Sequence, residues 1–156
     1  MTSMATAASQ LAAVMGKKVD RSAAGLPAST TGAIFTISGG RVMVTSIIGE
    51  VTTAIQAQAN AVKLQFDPTD AGATQDLSAT IETNAAAVGT MYSITGTPAT
   101  AMQSALNFMS PDKMLARPLV LKPGSILVSA AATNTGQVKW TLTYVALDNG
   151  AAVSAA

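Results

Sequence analysis

The stretch IFTISGGRVMVTSIIGEV, residues 34–51, decides the fold. Apolar and polar residues alternate on both sides of Gly39-Gly40, the period of a half-buried β-strand. With the two glycines as a hairpin loop, Ser38 pairs with Arg41, Ile37 with Val42 and Phe35 with Val44. One face then carries Phe35, Ile37, Val42 and Val44. The other carries Thr36, Ser38, Arg41 and Thr45, with Met43 as the exception. Beyond Val44 the alternation breaks. Continued unchanged, it would bury Ser46 and Glu50, whereas a shift by one residue buries Ile47, Val51 and Ile55. One extra residue near Ile47-Ile48-Gly49 makes that shift, so a β-bulge is expected there, bending a long strand around a corner.

Further strands read outward from this pair. They are AVKLQFD (61–67), a weaker LSATIET (77–83), VGTMYSI (88–94) and RPLVL (117–121). Near the C-terminus Ile126, Val128 and Ala130 alternate on one strand. Val138, Trp140, Leu142 and Tyr144 alternate on the next, and the two are joined through ATNTGQ. Lys139, Thr141 and Thr143 fall on the opposite face. Short strands punctuated by turn residues predict an all-β antiparallel sandwich, jelly roll or barrel-like domain over residues 33–150. Residues 151–156 read as a C-terminal tail.

Two segments carry a helical period. In residues 3–16, Met4, Ala8, Leu11 and Met15 share one stripe, Ser3 can cap the start, and Gly16 can end the last turn. Lys17 and Lys18 then suit the negative end of the helix dipole. A helix of about 12 residues is marginal alone in water, so its stripe needs a surface to lie on. That surface is either its own domain or a partner. Residues 17–33, KKVDRSAAGLPASTTGA, have no period and read as a linker, so residues 1–32 form a helical arm with its connection. The second helical segment is TPATAMQSALNFMSP. Thr97 caps it, Pro98 sits in the first turn, Met102, Leu106 and Met109 form a stripe, and Ser110-Pro111 stops it. It predicts one short helix inserted between strands.

Composition narrows the function more by exclusion than by motif. Of 156 residues only 11% are charged and 4% aromatic, with nine basic residues against eight acidic. There is no basic stripe with interleaved aromatics to suit a nucleic acid, and no apolar run long enough to span a bilayer. At the N-terminus the positive charges follow the apolar stretch, the reverse of a secretory signal. The chain has no His and no Cys, which removes Ser-His-Asp and Cys-His nucleophile systems and the usual zinc ligand sets. Neither a phosphate-binding loop nor a dinucleotide fingerprint is present. SGGRV has the glycines of such a loop, but no helix follows it. No cofactor and no small-molecule substrate are therefore expected.

The surviving catalytic option is a pair of carboxylates. Asp67, Asp70 and Asp76 cluster in DPTDAGATQD, where they suit a turn, and their spacing lacks the alternating ligands of a calcium loop. Glu50 and Glu82 have no sequence partner. Trp140 and Tyr144 share the apolar face of their strand and read as core, not as a glycan platform. Lys17, Lys18 and Arg21 form the one local charge cluster, which suits either a solvated linker or an electrostatic contact with a partner.

The whole pattern resembles small virion proteins of tailed bacteriophages. The resemblance covers roughly residues 25–150 and rests on LPASTTGAIFTISGGRVMVTSIIGEVTTAIQ and GSILVSAAATNTGQVKWTLTYVALDNGA. Among these proteins the chain looks most like capsid decoration (cement) proteins. The resemblance implies a non-enzymatic β domain, often a homotrimer, made in the bacterial cytoplasm. It would be seated on the capsid exterior where copies of the major capsid protein meet. The same texture recurs in tail and fibre components and host-surface binding modules, the alternative reading. Under either, Met4, Leu11, Met15, Lys17, Lys18 and Arg21 are the candidate partner-binding residues.

Overall fold

The computed structural model describes residues 16–156, so the helical arm expected over residues 3–16 lies, apart from Gly16, outside the described residues. Twelve strands follow in chain order: β1 (Lys17–Ala24), β2 (Thr31–Ser38), β3 (Val42–Thr53), β4 (Ala61–Pro68), β5 (Gln75–Asp76), β6 (Ile81–Glu82), β7 (Thr90–Ser93), β8 (Gln103–Leu106), β9 (Leu119–Leu121), β10 (Gly124–Ala130), β11 (Gln137–Ala146) and β12 (Ala152–Ala155). They make two six-stranded sheets. The first has the order β1-β11-β3-β7-β8, with β9 also paired to β3. The second has the order β12-β2-β10-β4-β5, with β6 also paired to β4. All the strand-to-strand ladders are antiparallel. The fold is mainly β and sandwich-like.

The core is the set of residues that alternation assigns to the inside. Phe35, Ile37, Val42, Val44, Ile47, Val51 and Ile55 are buried, as are Ile126, Val128, Val138, Trp140, Leu142 and Tyr144. Strand pairing, however, differs from the sequence reading. Strand β2 bonds to β10 and β12, whereas β3 bonds to β11, β7 and β9. The Gly39-Gly40 link is therefore no hairpin but a corner that carries the chain from the second sheet to the first. Gly39 (φ +76°) packs its Cα against the backbone of Gly150, and Asp148 accepts bonds from both the backbone and the guanidinium of Arg41. Strands β10 and β11 likewise lie in opposite sheets. In both cases the two apolar faces meet across the sandwich instead of side by side in one sheet. Alternation reports which face is buried, and either arrangement buries the same residues.

The bulge in β3 is present, two residues earlier than expected. Val44 pairs with Tyr144 and Ser46 with Thr143, which leaves Thr45 as the extra residue and turns Ile47 inward. The late strand β9 covers β3 at residues 42–44, and β7 covers it at 49–50. Between them the Ile47 carbonyl accepts the buried Ser93 hydroxyl at 2.7 Å, so the break in the ladder leaves no orphan there.

Three further segments correct the sequence reading. Residues 17–24, read as linker, form edge strand β1, whose Lys and Asp side chains hide the period. No helix forms over residues 97–110. Thr97–Thr100 is a turn closed by Thr100 N–H on the Thr97 carbonyl (2.9 Å), and β8 follows, with Asn107 (φ +59°) ending it. Pairing with β7 overrides the helical stripe, and the nearest helical element is the single 3-10 turn Pro111–Lys113. Finally, Ala152–Ala155 in the expected tail pairs with β2 through its backbone.

Both flanks of the sandwich are drawn together. On one, Arg21 Nε of β1 donates to the Ala156 carbonyl just after β12 (3.0 Å). On the other, Ala79 N–H donates to Thr100 O (2.9 Å) and Met102 N–H to Ala79 O (3.0 Å). One end is pinned by buried amides: Asn60 Nδ2 donates to Asn134 Oδ1 at 2.6 Å, and Asn134 Nδ2 donates to the carbonyls of Gln56 and Gln58.

Candidate interaction surface

Of the carboxylates that remain open for chemistry on sequence grounds, Asp67, Asp70, Asp76 and Glu82 are engaged by neighbours. Asp70 is ion-paired to Lys122, and Asp76 to Lys63 with a second bond from Gln65 Nε2 (2.8 Å). Asp67 accepts the Thr74 hydroxyl at 3.0 Å. Glu82 accepts the backbone N–H groups of Asn60 and Asn84. Glu50 stands opposite Lys139 and Met91 on the outer face of the first sheet. Hydrogen bonding to Lys122 lowers the Asp70 pKa, and bonds from Gln65 and Lys63 lower that of Asp76. A general acid needs the opposite shift, so both are poised as charged, solvated groups. Tyr92 is pushed up to about 12 by burial and by the Glu82 charge, which keeps its phenol neutral. Among the described residues no cluster of Asp and Glu has the grouping that holds a metal ion. No helix among them is long and apolar enough to cross a membrane.

The expected basic cluster is divided by the pleat of β1. Lys18 pairs in register with Thr143 on the outer face and is ion-paired to Asp20 (2.9 Å), which also accepts the Thr141 hydroxyl. These two bonds lower the Asp20 pKa, the Lys18 bond first. Lys17 and Arg21 have the other parity, opposite Tyr144 and Trp140, and Arg21 is committed to the Ala156 carbonyl. The three cations therefore do not form one patch. Met4, Leu11 and Met15 lie outside the described residues.

What the structure does bring together is an apolar tip. Thr90 pairs with Leu106, and Asn107 N–H donates to the Gly89 carbonyl at 2.9 Å, so Val88, Leu106 and Phe108 share the open end of the β7–β8 ladder, away from the 94–102 connection. Their exposures are 58%, 56% and 69%, high for large apolar side chains. Glycine suits position 89 because its φ is +88°, a backbone conformation that side-chain-bearing residues rarely adopt. Strand β8 is also the terminal strand of its sheet. Its Ser104 carbonyl turns away from β7 and accepts Lys113 Nζ at 2.9 Å. That edge carbonyl is thus capped within the chain, and it is the exposed apolar side chains at the end of the strand that suit contact with another protein. The helical reading of residues 97–110 hides this tip, because it places Leu106 on a buried stripe. The Val88-Gly89 and Asn107-Phe108 pairs are the available signal, a turn residue beside a large apolar one in each case.

Elsewhere the outer faces mix small polar side chains with scattered charges: Lys18, Asp20, Glu50 and Lys139 lie on the first sheet, and Lys63 and Asp67 on the second. Thr36, Ser125, Leu127, Ser129, Gln65 and Ser154 line the second sheet. Trp140 and Tyr144 are buried and offer no platform. Compared with protein-family models, curated proteins and solved structures, the chain matches none.

Proposed function

We propose that this chain is a non-enzymatic structural protein of a phage virion, bound to the capsid exterior as a decoration or cement protein. The observation that carries the reading is the exposed apolar group of Val88, Leu106 and Phe108 at the end of edge strand β8, on a chain of which only 11% is charged. Such a surface allows close approach, and many copies on a symmetric lattice turn a modest contact into a stable coat. In this reading the partners are the major capsid protein and other copies of the chain in a homotrimer. The two drawn-together flanks favour a barrel-like or jelly-roll form of the sandwich. The exposed Phe108 ring also favours a second reading, a tail or fibre component whose loop touches a host surface.

The deciding experiment is to purify particles, separate heads from tails and quantify the chain in each. Many copies per head support the decoration reading, and a few copies confined to tails support the second. Absence from both fractions overturns the two together.

A further inference from the structure

The turn that joins β11 to β12 holds the pair Asn149-Gly150. Of the five asparagines in the chain, only Asn149 precedes a glycine. Ala151 N–H donates to the Asp148 carbonyl at 3.1 Å, which closes a four-residue turn with Asn149 and Gly150 at its centre. Gly150 has φ +84°, the conformation that the third residue of a type II turn requires. Both central residues are exposed, and a Cβ on Gly150 would meet nothing within 4 Å. Among the described residues the Gly150 N–H donates to no backbone carbonyl. That nitrogen is therefore open to water, and the side-chain amide next to it in the chain is Asn149's own. The other asparagines differ. Asn60 and Asn134 are buried and bonded to each other. Asn84 and Asn107 are followed by Ala85 and Phe108, whose side chains crowd the following amide nitrogen.

We infer that Asn149-Gly150 is a site of spontaneous covalent rearrangement, and that the change loosens the clasp between the Gly39-Gly40 corner and β12. The Gly150 amide gives its proton to hydroxide, and its nitrogen attacks Asn149 Cγ. A C–N bond forms there, the side-chain nitrogen leaves as ammonia, and a cyclic succinimide remains. Water then opens the ring at either of its carbonyl carbons. Cleavage at Cγ leaves an aspartyl residue. Cleavage at the main-chain carbonyl leaves an isoaspartyl residue, whose main chain runs through Cγ. In sum, amide and water become carboxylic acid and ammonia, with no oxidant, metal or enzyme. Ring closure requires rotation about Asn149 ψ, which an open tip spanned by one turn bond permits. The isoaspartyl form lengthens the turn by a main-chain carbon. Toward the corner there is no room for it, because the Gly150 carbonyl lies against Gly39. Asp148 is held by Arg41 through two side-chain bonds (2.9 and 2.8 Å) and one from the backbone. Strand β12, held to β2 over four register pairs from Ala152 to Ala155, gives way first. The inference is independent of the virion reading and needs only the purified chain.

To test it, the chain is aged in mildly alkaline buffer, folded and, in parallel, unfolded in guanidinium chloride, and its peptides are mapped by mass. Asn149 should gain the mass of amide-to-acid conversion at least about tenfold faster than Asn84 and Asn107, as aspartyl and isoaspartyl products. The folded rate should stay within about tenfold of the unfolded one, since the turn leaves the Gly150 nitrogen open. A smaller lead over the other asparagines, or a folded rate below that range, overturns the site. Asn149→Gln, whose longer side chain closes such a ring far more slowly, is aged alike as the control. In the isoaspartyl fraction, amide exchange over Ala152–Ala155 should rise about tenfold above that control, while Val44 and Leu142 in the core keep their rates. Equal exchange in β12 overturns the loosening.

Discussion

The indole of Trp140 occupies the space above Gly49. The two are register partners on β11 and β3, and a Cβ on Gly49 would stand 2.8 Å from Trp140 Cζ3 and 2.9 Å from Cε3 and Cη2. A buried ring cannot swing clear as a flexible side chain would, so Gly49→Ala should overpack the core and cost about 1–3 kcal/mol. In urea unfolding, the midpoint should fall at an unchanged slope. A variant as stable as the native chain would show that the ring has room to move.

The Asn60–Asn134 pair ties three loops together without exposing either amide. Asn60 Oδ1 accepts the Ala132 N–H at 2.9 Å while its Nδ2 donates to Asn134. Asn60→Ala strands that N–H and the Asn134 oxygen in a buried site, and should cost about 2 kcal/mol or more. Asn60→Ala/Asn134→Ala should cost less than the sum of the single changes, because the two act as one network. Strict additivity in thermal unfolding would contradict the coupling.

Acid should loosen the Gly39-Gly40 corner. Hydrogen bonds from the Arg41 side chain and backbone lower the Asp148 pKa to about 2 from an ordinary value of 3.8. A carboxylate depressed on folding stabilises fully above its unfolded value, and that contribution is lost as pH falls from about 3.8 through about 2. Arg41 stays protonated throughout, so Asp148 alone titrates in this pair. Asp148→Asn should flatten the melting-temperature profile in that window, and by a modest amount, because the pair is exposed and screened by salt. Profiles of equal steepness would assign the acid limb to the other depressed carboxylates, Asp20, Asp70, Asp76 and Asp112.

Phe108→Ser separates surface function from folding. Its ring is exposed, so unfolding free energy should stay within about 0.5 kcal/mol of the native value. Binding to particles stripped of the chain should fall by about 30-fold or more, the loss expected for an aromatic anchor. Undiminished rebinding would remove the tip from the contact.

Much of the core is legible in the sequence. Period two alone turns Phe35, Ile37, Val42, Val44, Trp140 and Tyr144 inward, and a bulge is required once Ile47 and Val51 have to share the inner face. The candidate surface is much less legible. Val88, Leu106 and Phe108 come together only because β7 captures β8 as a strand. The local period around Leu106 favours a helix, and no local signal records a partner strand.

The amino-acid sequence by itself determined which side chains are apolar and on which face of each strand they fall. It also set the near absence of charge and the lack of His and Cys chemistry. Tertiary structure decided which strands bond to which. Gly39-Gly40 and ATNTGQ both look like links between neighbours in one sheet, yet both carry the chain across the sandwich. The physical reason is that burial of a face is recorded in each strand's own alternation, whereas hydrogen-bonded neighbours are chosen by backbone groups that every residue shares. The same limit hides β1 and β12, edge strands held largely by backbone bonds with little apolar pattern to announce them.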